Sequence, residues 1–206
     1  MIPSSTFLLA AGILAVTPGP GIAYVVARTV AGGRAEGVAS CLGTAIGGLV
    51  HVVAAALGLS LIIARSALAF SIVKYLGAAY LIYLGVRTLA SKSAPAQLPT
   101  MRPAGSGKAL RDGVVVEVLN VKTAMFFLAF IPQFVAPTEP LAPQFILLGA
   151  ICVTLNTACD LLAVMLAHNL TVSGVARAAR QRLLSRISGA TMLGLGLYVA
   201  FAKRQS

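Results

Sequence analysis

Five side chains able to carry charge or a paired hydrogen bond stand in otherwise apolar stretches: Glu117, Asn120 and Lys122 in one, Asn156 and Asp160 in another. On a helix, residues three or four apart share a face, so Glu117 sits with Asn120 and Asn156 with Asp160. Acids inside an apolar helix face a bundle interior and pair. Either acid is a partner for Lys122, and a local ion pair is the plain reading of Glu117. Lys122 has two further outlets: its stem can reach a headgroup layer, or its ammonium can meet the carboxylate of a bound solute. Asn120 offers a donor and an acceptor, enough to cap opened backbone or a ligand. Asp160 has no cation nearby on its own helix. It is the preferred ammonium ligand or proton carrier, and protonation competing with a cationic amine would couple the two.

The element that must position these groups is announced by Val16-Thr17-Pro18-Gly19-Pro20-Gly21, inside an uncharged run. Proline in a helix interior removes a hydrogen bond and clashes one turn back, at about 3 kcal/mol. A packing kink is the plain reading of Pro18, Gly19 and Pro20. The functional reading is a discontinuous helix whose exposed N–H groups attract a carboxylate and whose carbonyls attract an ammonium. In a bilayer such freed groups must line protein or a wet cavity.

Composition supports the bilayer. Of 206 residues, 58% are hydrophobic and 10% charged, and the mean hydropathy is +0.92. That is too much apolar surface for one soluble core. Windows near the ~20 residues needed to span hydrocarbon fall at 6–27, 37–64, 67–90, 113–135, 144–168 and 187–202. The expectation is an all-α polytopic membrane protein with about six transmembrane helices.

The net charge of +11 reads as topology and not as a nucleic-acid surface. Arg28 and Arg34 follow span one, Lys92, Arg102, Lys108 and Arg111 follow span three, and Arg177, Arg180, Arg182 and Arg186 follow span five. Positive residues mark cytoplasmic loops, which places both termini in the periplasm and the basic loops beside anionic headgroups. Arg65, Lys74 and Glu139 fall in the opposite connections, and Lys203 and Arg204 dissent. Lys74 reads as an interfacial anchor. Cys41, Cys152 and Cys159 lie within spans without metal-like spacing and read as small packers. No basic residue precedes Arg28, which argues against a cleaved signal peptide. His51 reads as a packed, hydrogen-bonded histidine over a proton relay. With His168 as the one other histidine, and no H-E-x-x-H, G-x-S-x-G or Walker sequence, the chain lacks the usual enzyme and ATPase signatures. No cofactor or metal is expected.

The stretch 91–107, with three prolines and two glycines, reads as a linker. The whole chain, 1–206, is expected to be one membrane domain with a first half at 1–90, a cytoplasmic linker at 91–112 and a second half at 113–206. Three spans on each side put the halves in opposite orientation, the 3+3 inverted-repeat logic of many secondary transporters. Spans one and four are the corresponding broken helices.

Within span four, Gly113, Leu119-Asn120-Val121-Lys122-Thr123-Ala124, Phe126-Phe127 and Pro132-Gln133-Phe134 resemble the Gly…Leu-Asn-Pro-Lys-Thr-Ala…Phe-Phe…Pro-Gln-Phe segment of the LysE/RhtB amino-acid efflux family. Thr17-Pro18-Gly19-Pro20, Gly33-Arg34-x-x-Gly37, Gly43-x-x-x-Gly47 and Lys74-Tyr75-Leu76-Gly77-Ala78-x-Tyr80-Leu81-x-x-x-Gly85 are similar to it in order. Val121 departs from the pattern, since the family places proline there, and leaves the sharpness of the break open. The resemblance implies a bacterial inner-membrane exporter of amino acids or close derivatives. Protons are the expected coupling ion, the bilayer the medium, and a homodimer a suitable assembly, while nucleic acid is not a partner. A channel or scaffold is the alternative, and a membrane-embedded enzyme a more distant one. The expected translocation residues are Pro18, Gly19, Pro20, Glu117, Asn120, Lys122, Asn156 and Asp160.

Overall fold

The computed structural model describes residues 3–90, 101–136, 138–167 and 174–201. Among these the regular structure is entirely helical. The chain runs through α1 (Ser5–Val16), α2 (Pro20–Ala54), a π turn (Ala55–Leu59), α3 (Ser60–Arg65) and α4 (Ala67–Ala90). The second half contains α5 (Ser106–Val118), α6 (Val121–Met125), a π turn (Phe126–Phe130), a 3-10 turn (Ile131–Phe134), α7 (Leu141–Ala167) and α8 (Gly174–Phe201).

The 43 residues Pro20–Ile62 would extend ~64 Å as one straight helix. They do not. Gly33 interrupts α2 at φ 79°, ψ −174°, a conformation open to glycine and strained for other residues. Gly21 and Gly47, ~39 Å apart on a straight helix, both lie against Glu117. Thr29 likewise meets Gly37 across the turn. The segments 20–32 and 34–54 are therefore the arms of a hairpin that reverses at one residue. The expected loop between spans one and two is replaced by this turn.

Pro20–Ile62, Ser71–Ala90 and Leu141–Ala167 are long and apolar enough to cross a bilayer, and Ser106–Val118 with Val121–Phe134 forms a further pair bent by 42°. Ser5–Val16 and Gly189–Phe201 are shorter apolar helices. α5 begins at Ser106, seven residues before the expected span, and α8 begins at Gly174, so the basic run 177–186 is helix and not loop. Residues 91–100 of the expected linker, Lys92, His168, Lys203 and Arg204 lie outside the described residues, as do the side chains of Arg65, Arg177, Arg180 and Arg182.

Burial follows the membrane logic. Phe7, Leu14, Val52, Phe126, Phe130 and Phe145 form the dry centre. Leu9, Leu57, Leu76, Leu162, Met165 and Phe201 are exposed, a quantity of apolar surface that water-soluble monomers do not tolerate. Close approach rests on small residues, as the sequence suggested for Gly43-x-x-x-Gly47. A Cβ on Gly43 would overlap Leu110 O, and one on Gly113 would lie 2.7 Å from Ser40 O. The α2 hairpin and α5 thus touch backbone to backbone.

At the Gly33 end of that contact, a polar cluster joins the hairpin to α5. Arg28 is buried, donates to Asp112 Oδ2 at 3.0 Å and Tyr24 Oη at 3.0 Å, and lies 3.7 Å from Glu36 Oε2. Glu36 Oε1 accepts the N–H groups of Ala104 at 2.8 Å and Gly105 at 2.7 Å. This corrects the reading of Arg28 as a headgroup-facing charge. Its guanidinium is spent inside the protein, because a fork of five donors satisfies several acceptors at once.

Candidate functional site at the two helix breaks

In a continuous helix, the N–H of residue 18 would bond the carbonyl of Leu14. Pro18 has none. Thr17 turns out of the helix into extended backbone and its N–H reaches back to Ile13 O at 3.0 Å and Leu14 O at 3.2 Å. The remaining demand is met from the other half of the molecule. Lys122 Nζ donates to Leu14 O at 3.2 Å and to Thr17 O at 2.8 Å. A Cβ on Gly19 would come within 3.1 Å of Lys122 Cε and Nζ, so the missing side chain clears the lysine's path. Gly19 then caps α2, and Pro20 stands at its first turn, where a missing N–H costs nothing.

This placement overturns both structural readings of Lys122 made from sequence. The residue is 8% exposed, so it does not snorkel. Among the described residues no carboxylate lies within ion-pair distance of it.

The second break lies at Leu119–Asn120. Asn120 adopts extended backbone at φ −74°, ψ 100°, and its Oδ1 accepts the N–H of Lys122 at 3.1 Å, an N-cap. Its Nδ2 donates to Glu117 Oε2 at 2.9 Å, while Thr123 Oγ1 donates to Glu117 Oε1 at 2.7 Å. Glu117 is therefore a hydrogen-bonded organiser of the break and not the partner of Lys122. His51 Nε2 donates to Glu117 O at 3.0 Å, a carbonyl at the end of α5 that also accepts the Asn120 N–H at 3.0 Å. The break survives without the family proline because the extended residue is Asn120. Val121 is the first residue of α6, a position that proline suits but does not monopolise, and it is 40% exposed.

Asp160 approaches from α7, buried, with Oδ2 2.9 Å from Thr44 Oγ1. The same hydroxyl lies 2.8 Å from Cys41 O. One hydroxyl proton cannot serve two acceptors. An ionised Asp160 takes it; a protonated Asp160 donates its own to Thr44, whose proton then goes to Cys41 O. Asn156 has no hydrogen-bond partner among the described residues and lines the same pocket.

That pocket is walled by Glu117, Asn120, Lys122, Asn156 and Asp160, joined by Gly21, Thr44 and Thr123, with apolar cover from Ile22, Phe127 and Val153. Its cavity volume is about 30 Å³, room for a water molecule or two and well below an ordinary small-molecule cleft, so a larger solute enters only when the walls part. Five of the eight expected residues thus converge. Pro18, Gly19 and Pro20 do not line the wall; they stand behind Lys122. Thr44, Thr123 and His51 complete the site, and of these Thr44 and Thr123 were not singled out by sequence, since an isolated hydroxyl in a helix carries no charge signal. No group of three or more His, Cys, Asp or Glu able to hold a metal ion occurs among the described residues.

Comparison with known proteins extends the picture. The family described as LysE type translocator matches residues 12–203. An uncharacterized membrane protein of Vibrio cholerae is 28% identical over 201 residues, covering 96% of each chain. A homoserine/homoserine lactone efflux protein of Salmonella typhimurium is 31% identical over 150 residues, covering 73% of each chain. A leucine efflux protein of Salmonella choleraesuis is 29% identical over 136 residues, 66% of this chain and 64% of that one. No solved structure matches.

Proposed function

From the premise that the chain belongs to the LysE type translocator family, efflux transporters and not enzymes, we propose that it is a secondary transporter exporting amino acids or close derivatives through the pocket between its two breaks. The observation that carries this reading is the convergence of Glu117, Asn120, Lys122, Asn156 and Asp160 on that pocket. The names of the homoserine/homoserine lactone and leucine efflux relatives support the substrate class.

In this reading the substrate ammonium meets the second oxygen of Asp160, and its carboxylate meets the Asn156 amide and the remaining N–H of Lys122. The apolar cover holds the side chain. Binding is then a competition for Asp160 between an amine and a proton. A proton arriving from outside releases the amine, and the Thr44 hydroxyl follows the charge by turning to Cys41 O. Export is thereby coupled to inward proton flow.

The same reading makes the molecule two inverted halves of three crossings, residues 1–90 and 113–206, in the bacterial inner membrane. In support, each half opens with a broken helix, at 17–19 and at 119–120, and continues into two longer helices. The basic residues Arg28, Arg102, Lys108 and Arg111 gather about the Gly33 end, which makes that end cytoplasmic and both termini periplasmic. Gly12 and Gly194 face open space, consistent with a homodimer in the bilayer.

The test is overexpression in cells challenged with single amino acids. Relief of growth inhibition with accumulation of that compound outside is expected. Undiminished proton-dependent export by an Asp160→Asn protein present at normal abundance would remove Asp160 from the mechanism.

A further inference from the structure

The carbonyls at the end of α1 form a cation seat. They stand at the negative pole of a twelve-residue helix, two of them converge, and Pro18 denies Leu14 O its ordinary donor. In carriers built on broken helices, such C-terminal half-helix ends and unwound carbonyls hold the coupling cation. Here the position is taken. Lys122 Nζ lies 3.2 Å from Leu14 O and 2.8 Å from Thr17 O, having crossed from the opposite break beside Gly19.

We propose that Lys122 is a tethered internal cation, filling the seat that a free monovalent cation would otherwise occupy and joining the two breaks without sodium or potassium. Three features of the site support this over an ordinary buried lysine. The side chain has no carboxylate within ion-pair distance among the described residues. Its acceptors are backbone oxygens from a helix end, which a small cation recognises as readily as an ammonium does. The route is kept open by a glycine whose Cβ would press on Cε and Nζ at 3.1 Å. The ammonium carries three donors, of which two are spent on the carbonyls, so the third is free to turn toward the pocket. The seat lies behind the pocket of the transport reading and shares Lys122 with it, but its occupancy does not depend on what is transported.

Thermal melting of the purified full-length protein, in choline, sodium, potassium, ammonium or methylammonium chloride at equal ionic strength, decides the matter without a transport assay. The wild type is expected to melt at one temperature in all five salts and to show no saturable binding of radiolabelled sodium. Lys122→Ala empties the seat and is expected to melt several degrees lower in choline. One or more of the small cations, sodium, potassium, ammonium or methylammonium, then restores the loss with a saturable concentration dependence. Lys122→Met keeps the bulk without the charge and is expected to melt low in every salt. Sodium-specific stabilisation or saturable sodium binding of the wild type overturns the proposal, and this arm holds even where Lys122→Ala does not fold. A Lys122→Ala protein that melts alike in all five salts also overturns it, reducing Lys122 to a neutral structural cap.

Discussion

Lys122 gives Leu14 the hydrogen bond that Pro18 withholds. The donor comes from 108 residues away, 3.2 Å from the carbonyl it serves, and so the break in the first half is closed by a side chain rooted one residue beyond the Val121 start of the second half's α6. Each break is unfinished alone.

Pro18→Ala should therefore uncouple the two. A returned N–H competes with Lys122 for Leu14 O, and alanine favours the helical path by up to ~3 kcal/mol over proline. The expected outcome is a protein at least as heat-stable as the wild type whose export falls on the order of tenfold, equivalent to ~1.4 kcal/mol on the barrier. Growth protection normalised to membrane abundance, together with a detergent melt, reads both.

Asp160→Asn keeps the shape of the side chain and removes its titration. Export should drop by at least tenfold, about 1.4 kcal/mol of barrier, and lose its dependence on the proton gradient. Thr44→Val removes the hydroxyl that answers to Asp160 while leaving the acid. It should shift the pH at which export is half-maximal without abolishing transport. Proteoliposome efflux measured across external pH separates the two effects.

How much of this was written in the sequence differs from residue to residue. The break at Pro18 was legible because proline's missing N–H is a local fact. The grouping of Glu117 with Asn120 was legible from helical spacing. The partner of Lys122 was not, since a backbone carbonyl has no sequence signature and Leu14 looks like any apolar residue. Arg28 was misread for a related reason: counting charges locates a loop, but only packing shows that Asp112 and Glu36 take the guanidinium out of circulation. Gly33 was noted as part of a motif, yet a one-residue reversal of α2 depends on a positive φ that the letter permits and does not demand.

The Arg28 cluster should behave as a buried network. Arg28→Met leaves Glu36 and Asp112 without their cation and should lower the melting temperature, because two carboxylates then face each other unpaired. Asp112 is about one-third exposed, so Asp112→Asn should cost less, about 1 kcal/mol, as for pairs near solvent. Single and double variants melted in detergent should be non-additive, because the residues share one network.

Gly43 and Gly58 provide a matched pair. A methyl at Gly43 would run into Leu110 O, whereas Gly58 has open space around it. Gly43→Ala should separate α2 from α5 and cost about 1–3 kcal/mol, as overpacking does, with reduced membrane abundance. Gly58→Ala should match the wild type in abundance and melting temperature. Gly33→Ala should also lower stability, by about 1–3 kcal/mol, because φ 79° with ψ −174° is a conformation essentially restricted to glycine.

The most direct test of the pocket between the breaks is substrate protection at Ala45, which lines it without a role in holding the substrate. In a protein with Cys41, Cys152 and Cys159 replaced by serine or alanine, Ala45→Cys is labelled with a small methanethiosulfonate reagent while the exported amino acid is titrated in. Labelling should slow in proportion to occupancy, with half-protection at the concentration that half-saturates transport. Labelling at an unchanged rate under saturating amino acid would contradict the assignment of this pocket as the transport site.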